Sequence, residues 1–140
     1  MVLALNKNYI QIILLLLLGF MGMNSLCAQK LTVSVHNIKP VSGNLMVGIF
    51  NSGKEFPDVY YKGVKTQITD TIMVVTFTDL PKGKYAVSAY QDMNKNGRLD
   101  RNIIGIPKEK YGFSNKDNKP DYTKSAFDFN NDLTINITLN

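Results

Sequence analysis

Between Asp92 and Asp100 the chain reads Asp-Met-Asn-Lys-Asn-Gly-Arg-Leu-Asp, so that oxygen-bearing side chains return at every second position through Asp92, Asn94 and Asn96. A hard divalent cation such as calcium takes six to eight oxygen ligands, and alternate side chains of one short loop can converge on a single centre. Asp92, Asn94 and Asn96 fill the first, third and fifth positions of an EF-hand-like loop, and Gly97 stands at the sixth, where the chain must turn sharply. Arg98 would lend its main-chain carbonyl from the seventh position, Leu99 would anchor the loop, and Asp100 at the ninth would bind directly or through water. The twelfth position holds Ile103 where such loops place a bidentate glutamate, which leaves Asp92 and Asp100 as the carboxylates of the loop; Asn102 or the more distant Glu109 is available to complete the ligand set. A simpler reading treats Asn96-Gly97 as a tight turn, with Asp92 and Asn94 bonding back to their own main chain. The turn accounts for Asn-Gly but not for the alternation that runs on to Leu99-Asp100, so a weak calcium site at Asp92, Asn94, Asn96, Arg98 and Asp100 is the expectation. Zinc is disfavoured, because it wants His and Cys ligands and the chain has only His36 and Cys27, far apart.

The elements that hold this loop read as strands. Leu31, Val33 and Val35 alternate with Thr32, Ser34 and His36, and Leu45, Val47 and Ile49 alternate again from Asn44 to Phe50, the period of half-buried strands. Gly48 interrupts the opposite face of the second strand and predicts a bulge or a closely packed neighbour. Residues 64–68 and 72–77 read as a hairpin about Asp70-Thr71, and 85–90 runs directly into the acidic loop. Arg101 to Lys124 holds no obvious element; its apolar residues Ile103, Ile104, Ile106, Tyr111 and Phe113 predict a segment folded over a sheet edge, followed by a mobile stretch from Asn115 to Tyr122. Residues 126–129 and 133–139 close the chain, with a clean alternation through Leu133, Ile135, Ile137 and Leu139. Seven short strands with regular turn signals and no convincing helix predict an all-β fold, a single antiparallel seven-stranded sandwich of Greek-key type.

Ahead of these strands lie Lys7, an apolar run from about Ile10 to Met23, and a small-residue end at Leu26-Cys27-Ala28, the organisation of a cleaved signal peptide over residues 1–28. The run is short for a transmembrane anchor, and Leu26 before Cys27 is a poor fit to a lipoprotein signal. Cleavage after Ala28 leaves 112 of the 140 residues, one domain at 29–140, with no span remaining and export to the periplasm, cell surface or medium expected. The mature chain then has no cysteine and a mild formal charge of +4, scattered rather than striped, which argues against a nucleic-acid partner.

Three stretches, taken together, carry a family resemblance: Leu80-Pro81-x-Gly83-x-Tyr85-Ala86-Val87, then Asp92 to Asp100, then Gly105-Ile106-Pro107-Lys108-Glu109-x-Tyr111-Gly112-Phe113-Ser114-Asn115. In that order and spacing the chain resembles the secreted bacterial family known as domain of unknown function 2141. The resemblance implies an exported, single-domain sandwich of prealbumin-like or carboxypeptidase-regulatory-like type with no established activity. The acidic loop also resembles the calcium loops of bacterial surface B-repeats, from which Ile103 departs.

The expected function is therefore a non-catalytic binding or structural module of the bacterial envelope, with an unidentified protein or glycan partner. An adhesin using the loop aromatics Tyr60, Tyr61, Tyr111 and Phe113 is the alternative, although paired tyrosines more often pack over the open end of a sandwich. A small hydrolase on a transthyretin-like sandwich comes last, because one histidine and no mature cysteine leave little from which to build a nucleophile and its base.

Overall fold

The computed structural model describes residues 28–116 and 119–140; the expected leader, apart from Ala28, lies outside the described residues. The fold is all-β but for one turn of helix. In chain order the strands are β1 (Leu31–His36), β2 (Asn44–Phe50), β3 (Lys62–Gln67), β4 (Met73–Phe77), β5 (Gly83–Asp92), β6 (Tyr111–Phe113), β7 (Phe127–Phe129) and β8 (Leu133–Thr138). A 3-10 turn at Ser114–Lys116 and the helix α1 (Tyr122–Ser125), capped by the Asp121 side chain on Lys124 N, lie between β6 and β7. One sheet has the order β4-β1-β8; the other runs β3-β2-β5-β6, with β7 pairing with the first residues of β5. The sheets share one core, in which Leu31, Val33 and Val35 of β1 meet Leu45, Val47 and Ile49 of β2 and Val87 of β5. These are the alternate positions that the period-two pattern assigns to an inner face.

Four expectations need correction. Among the described residues there are eight strands, because Tyr111–Phe113 of the long connection pairs with Ser88–Tyr90; three residues are too few to show a period, and the strand exists through its partner. The fold is not wholly antiparallel: β8 lies parallel to β1, with Leu31 opposite Leu133 and Val35 opposite Ile137. Segments 64–68 and 72–77 do not form a hairpin, since β3 pairs with β2 and β4 with β1, so their connection crosses between sheets. Finally, Asn115 and Tyr122, expected at the ends of a mobile stretch, are anchored: the Asn115 amide donates to Lys124 O and Ala126 O, and the Tyr122 hydroxyl donates to Lys84 O.

β6 also ties the two sheets together. Tyr111 and Asn140 exchange main-chain hydrogen bonds at 3.3 and 3.0 Å, so the segment after β8 leans on β6. That approach requires a glycine between Tyr111 and Phe113, because a Cβ at Gly112 would lie 2.5 Å from Thr138 O and 2.8 Å from the Ile137 side chain. Gly112→Ala should therefore destabilise the domain by about 2 kcal/mol through overpacking, measured by urea unfolding. Gly97→Ala, where φ is +78° but nothing lies within 4 Å of the added carbon, should cost only about 1 kcal/mol from backbone strain.

Candidate functional site

β5 delivers Asp92 to its C-terminal end, where the side chain is fully buried, and the chain then closes on it. Asp92 Oδ1 accepts from Asn96 N at 3.1 Å and Oδ2 from Gly97 N at 2.8 Å. The turn is possible because Lys95 (φ 63°) and Gly97 (φ 78°) adopt left-handed conformations. Asn94 Oδ1 also accepts from Asn96 N, and Asn96 Oδ1 accepts from Arg98 N. The two amide groups point at one carboxylate: Asn94 Nδ2 donates to Asp100 Oδ2 at 2.6 Å and Asn96 Nδ2 to Asp100 Oδ1 at 2.9 Å.

Of the two residues offered to complete the loop, Glu109 lies against it and Asn102 does not. Glu109 Oε1 accepts from Met93 N at 2.8 Å and Oε2 from Asp100 N at 3.1 Å, so its carboxylate spans both ends of the loop. Lys108 N donates to Asp100 O and Arg101 bridges to Pro107, folding the intervening segment back so that Glu109 returns to Asp100. Asn102 is occupied elsewhere, accepting from Ile104 N and Ile106 N. Asp92, Asn94, Asn96, Asp100 and Glu109 are thus joined through one loop, but among the described residues no group of three or more His, Cys, Asp or Glu side chains is placed so that it could hold a metal ion. None of the three carboxylates has an ion-pair partner among the described residues. The side-chain oxygens of the loop are of the type that a hard cation such as calcium takes.

Tyr90 registers this local negative charge. Its hydroxyl donates to Gly97 O at 3.0 Å, and its pKa is pushed from 10.0 up to about 12, chiefly by burial and then by Asp92, Glu109 and Tyr60. The folded state therefore favours the protonated phenol, so Tyr90's stabilising contribution is complete below about pH 10 and is lost as the pH rises towards 12. Between those values, urea midpoints of the parent chain should fall more steeply than those of Tyr90→Phe.

The same loop forms one wall of a cavity of about 570 Å³ on the outer face of the larger sheet. Strand register explains its depth. Gly63, Gly48, Ser88 and Phe113 lie side by side across β3, β2, β5 and β6, so three small residues in succession leave a depression. Tyr60 lies across the end of that row, with ring atoms 2.7–3.0 Å from where a Cβ on Gly63 would sit; the close neighbour predicted at Gly48 is Tyr60 as well. The next row is Lys65, Met46, Tyr90 and Tyr111. Arg98, Leu99, Arg101 and Pro107 close the top.

Of the aromatic residues singled out in the sequence, Tyr60, Tyr111 and Phe113 meet in this cavity, whereas Tyr61 turns towards Tyr85, with ring centroids 6.4 Å apart. Neither paired tyrosine is packed away: Tyr60 is 56% and Tyr61 51% exposed. The segment expected to fold over an edge instead leaves Ile103, Ile104 and Ile106 exposed at the tip of the Arg101–Pro107 turn. Gly48, Gly63 and Ser88 escaped sequence reasoning, because only the pairing register shows that they adjoin. On the smaller sheet, His36 Nε2 lies 3.0 Å from Ser34 Oγ and 3.3 Å from Asn136 Oδ1. Both contacts fall on the same ring nitrogen, whereas a Ser-His relay needs its third group on the other one.

Neither the curated proteins nor the solved structures contain a match to this chain. Residues 33–136, from β1 into β8, match the family described as "Uncharacterized protein conserved in bacteria (DUF2141)", and the chain belongs to that family.

Proposed function

We propose that the protein is an exported, non-catalytic envelope module, a sandwich of Greek-key and prealbumin-like type, whose 92–100 loop holds calcium and thereby fixes one wall of a ligand-binding cavity. The observation that supports this reading is the linkage of Asp92, Asn94, Asn96, Asp100 and Glu109 through the hydrogen bonds of one loop, with three carboxylates and no cationic side chain paired to them among the described residues. A bound cation would offset their charge. It would also stiffen the stretch that carries Arg98, Leu99 and Arg101 into the cavity. Export is supported by the charged, apolar and small-residue order of the first 28 residues.

Calorimetry and thermal melting of residues 29–140, which contain every described strand and core residue, test the metal. A dissociation constant of about 10⁻⁴ to 10⁻³ M is expected, typical of extracellular sites. At 10 mM calcium this corresponds to about 1.5–3 kcal/mol of added stability. Glu109→Gln and Asp100→Asn should each remove the shift. Absence of both heat and shift at 10 mM would leave the loop a self-closed turn. The adhesin alternative draws support from Tyr60 and Tyr61, both more than half exposed; retention on immobilised glycans that is lost in Tyr60→Ala would favour it.

A further inference from the structure

The cavity has a chemical character of its own. Its floor and sides are small or apolar: Gly48, Gly63, Ser88, Met46, Tyr111 and Phe113. Its rim carries Lys65, Arg98 and Arg101, against Asp58 as the one carboxylate of the lining. Lys65 and Arg98 are exposed and make no ion pair among the described residues, and Arg101 spends only one guanidinium nitrogen, on Gly105 O at 3.2 Å. The volume of about 570 Å³ falls in the range of sites that enclose a small organic molecule.

From this we infer that the cavity takes a small amphipathic organic anion, whose apolar body lies on the Gly63-Gly48-Ser88 row between Tyr60 and Phe113 while its acidic head meets Arg98 and Arg101. The inference deepens the proposed function and rests on its reading of the cavity as the binding surface. An uncharged ligand would leave the basic rim unused, and a small hydrophilic anion would gain nothing from the apolar floor. Two guanidinium groups on one side suit a carboxylate, sulfonate or phosphate, which accepts paired hydrogen bonds. Arg98 and Arg101 ride on the segment running from the oxygen-rich loop into its Glu109 return, so cation binding and ligand binding should reinforce each other.

Two fluorescent probes that differ chiefly in charge test the inference on residues 29–140: 1-anilinonaphthalene-8-sulfonate, and neutral N-phenyl-1-naphthylamine, which lacks the sulfonate. The sulfonate should bind saturably, one per chain, at least about tenfold more tightly than the neutral probe, the least expected of a charge-assisted contact. Substituting both Arg98→Ala and Arg101→Ala should bring the sulfonate down to the neutral probe's affinity and leave the latter unchanged. Ser88→Leu, which fills the floor, should abolish both, and Ile103→Ser, on the exposed apolar tip, should change neither. Equal affinities, or sulfonate binding indifferent to the arginines, would overturn the anionic ligand while leaving the cavity as a binding surface. Binding of both probes that survives Ser88→Leu in a folded variant and disappears in Ile103→Ser, or no binding at all, would overturn both. The two arginines are exposed, so their substitution tests the inference even if Ser88→Leu fails to fold.

Discussion

Phe129→Ala should lower the stability of residues 29–140 by about 3–5 kcal/mol, the range for truncating a buried aromatic. The ring is completely buried although it belongs to a three-residue strand, and it meets Tyr85 edge to face with centroids 6.2 Å apart. Truncation loses the apolar transfer energy and that aromatic contact, and leaves a void. The cost depends on whether the neighbours can collapse into the void, and here they are held. Just beyond Phe129, Asn130 O accepts from the Gln29 side chain, Asp132 Oδ1 accepts from Lys30 N, and Leu133 N donates to Lys30 O. On the other side, Tyr85 is fixed by its strand pairing and by its hydroxyl on Pro81 O at 2.8 Å. Urea unfolding should show a lower midpoint with an unchanged slope. Ile103→Ala, on the exposed tip, should stay within about 0.5 kcal/mol. A loss below about 2 kcal/mol at Phe129 would mean that the strand can slide inward despite its ties.

β7 illustrates what could and could not be read from the chain. The alternation in β1, β2 and β8 is a local property, imposed because one face of each strand meets the core, and those strands lie where the pattern placed them. Pairing is not local. Nothing in Val64 to Phe77 shows that β3 and β4 part company, because each strand's own alternation is compatible with either sheet. The same limit hid β6, whose three residues are strand only because Ser88–Tyr90 lies beside them. At the candidate site, loop positions one to nine were legible from side-chain type and spacing. Glu109, nine residues beyond Asp100, was one of two open choices until the Arg101–Pro107 bridge turned the chain back. The cavity was the least legible feature, since Gly48, Gly63 and Ser88 are far apart in sequence and form a row only through register.

Asp92→Ala should cost about 2–3 kcal/mol without calcium, and its gap from the parent chain should widen by about 2 kcal/mol more in 10 mM calcium. The first figure follows from the hydrogen bonds. The buried carboxylate accepts from Asn96 N and Gly97 N, and bonds to a charged acceptor contribute about 1.5–3 kcal/mol each. Asn96 N keeps a second acceptor in Asn94 Oδ1, so the loss is nearer one such bond than two. The second figure is the stabilisation that calcium gives the parent chain and can no longer give the variant. Asp92→Asn separates the two contributions, because its remaining oxygen can still accept one of the main-chain bonds but carries no charge. Without calcium it should retain about half of what alanine loses; with calcium it should fall as far behind the parent chain's gain as alanine does. If the carboxylate only caps a turn, calcium will move none of the three melting curves and the asparagine variant's gap from the parent will be the same at every calcium concentration. The readout is the difference in melting temperature with and without calcium for each chain, so a general loss of stability cancels and the coupling between Asp92 and the cation remains.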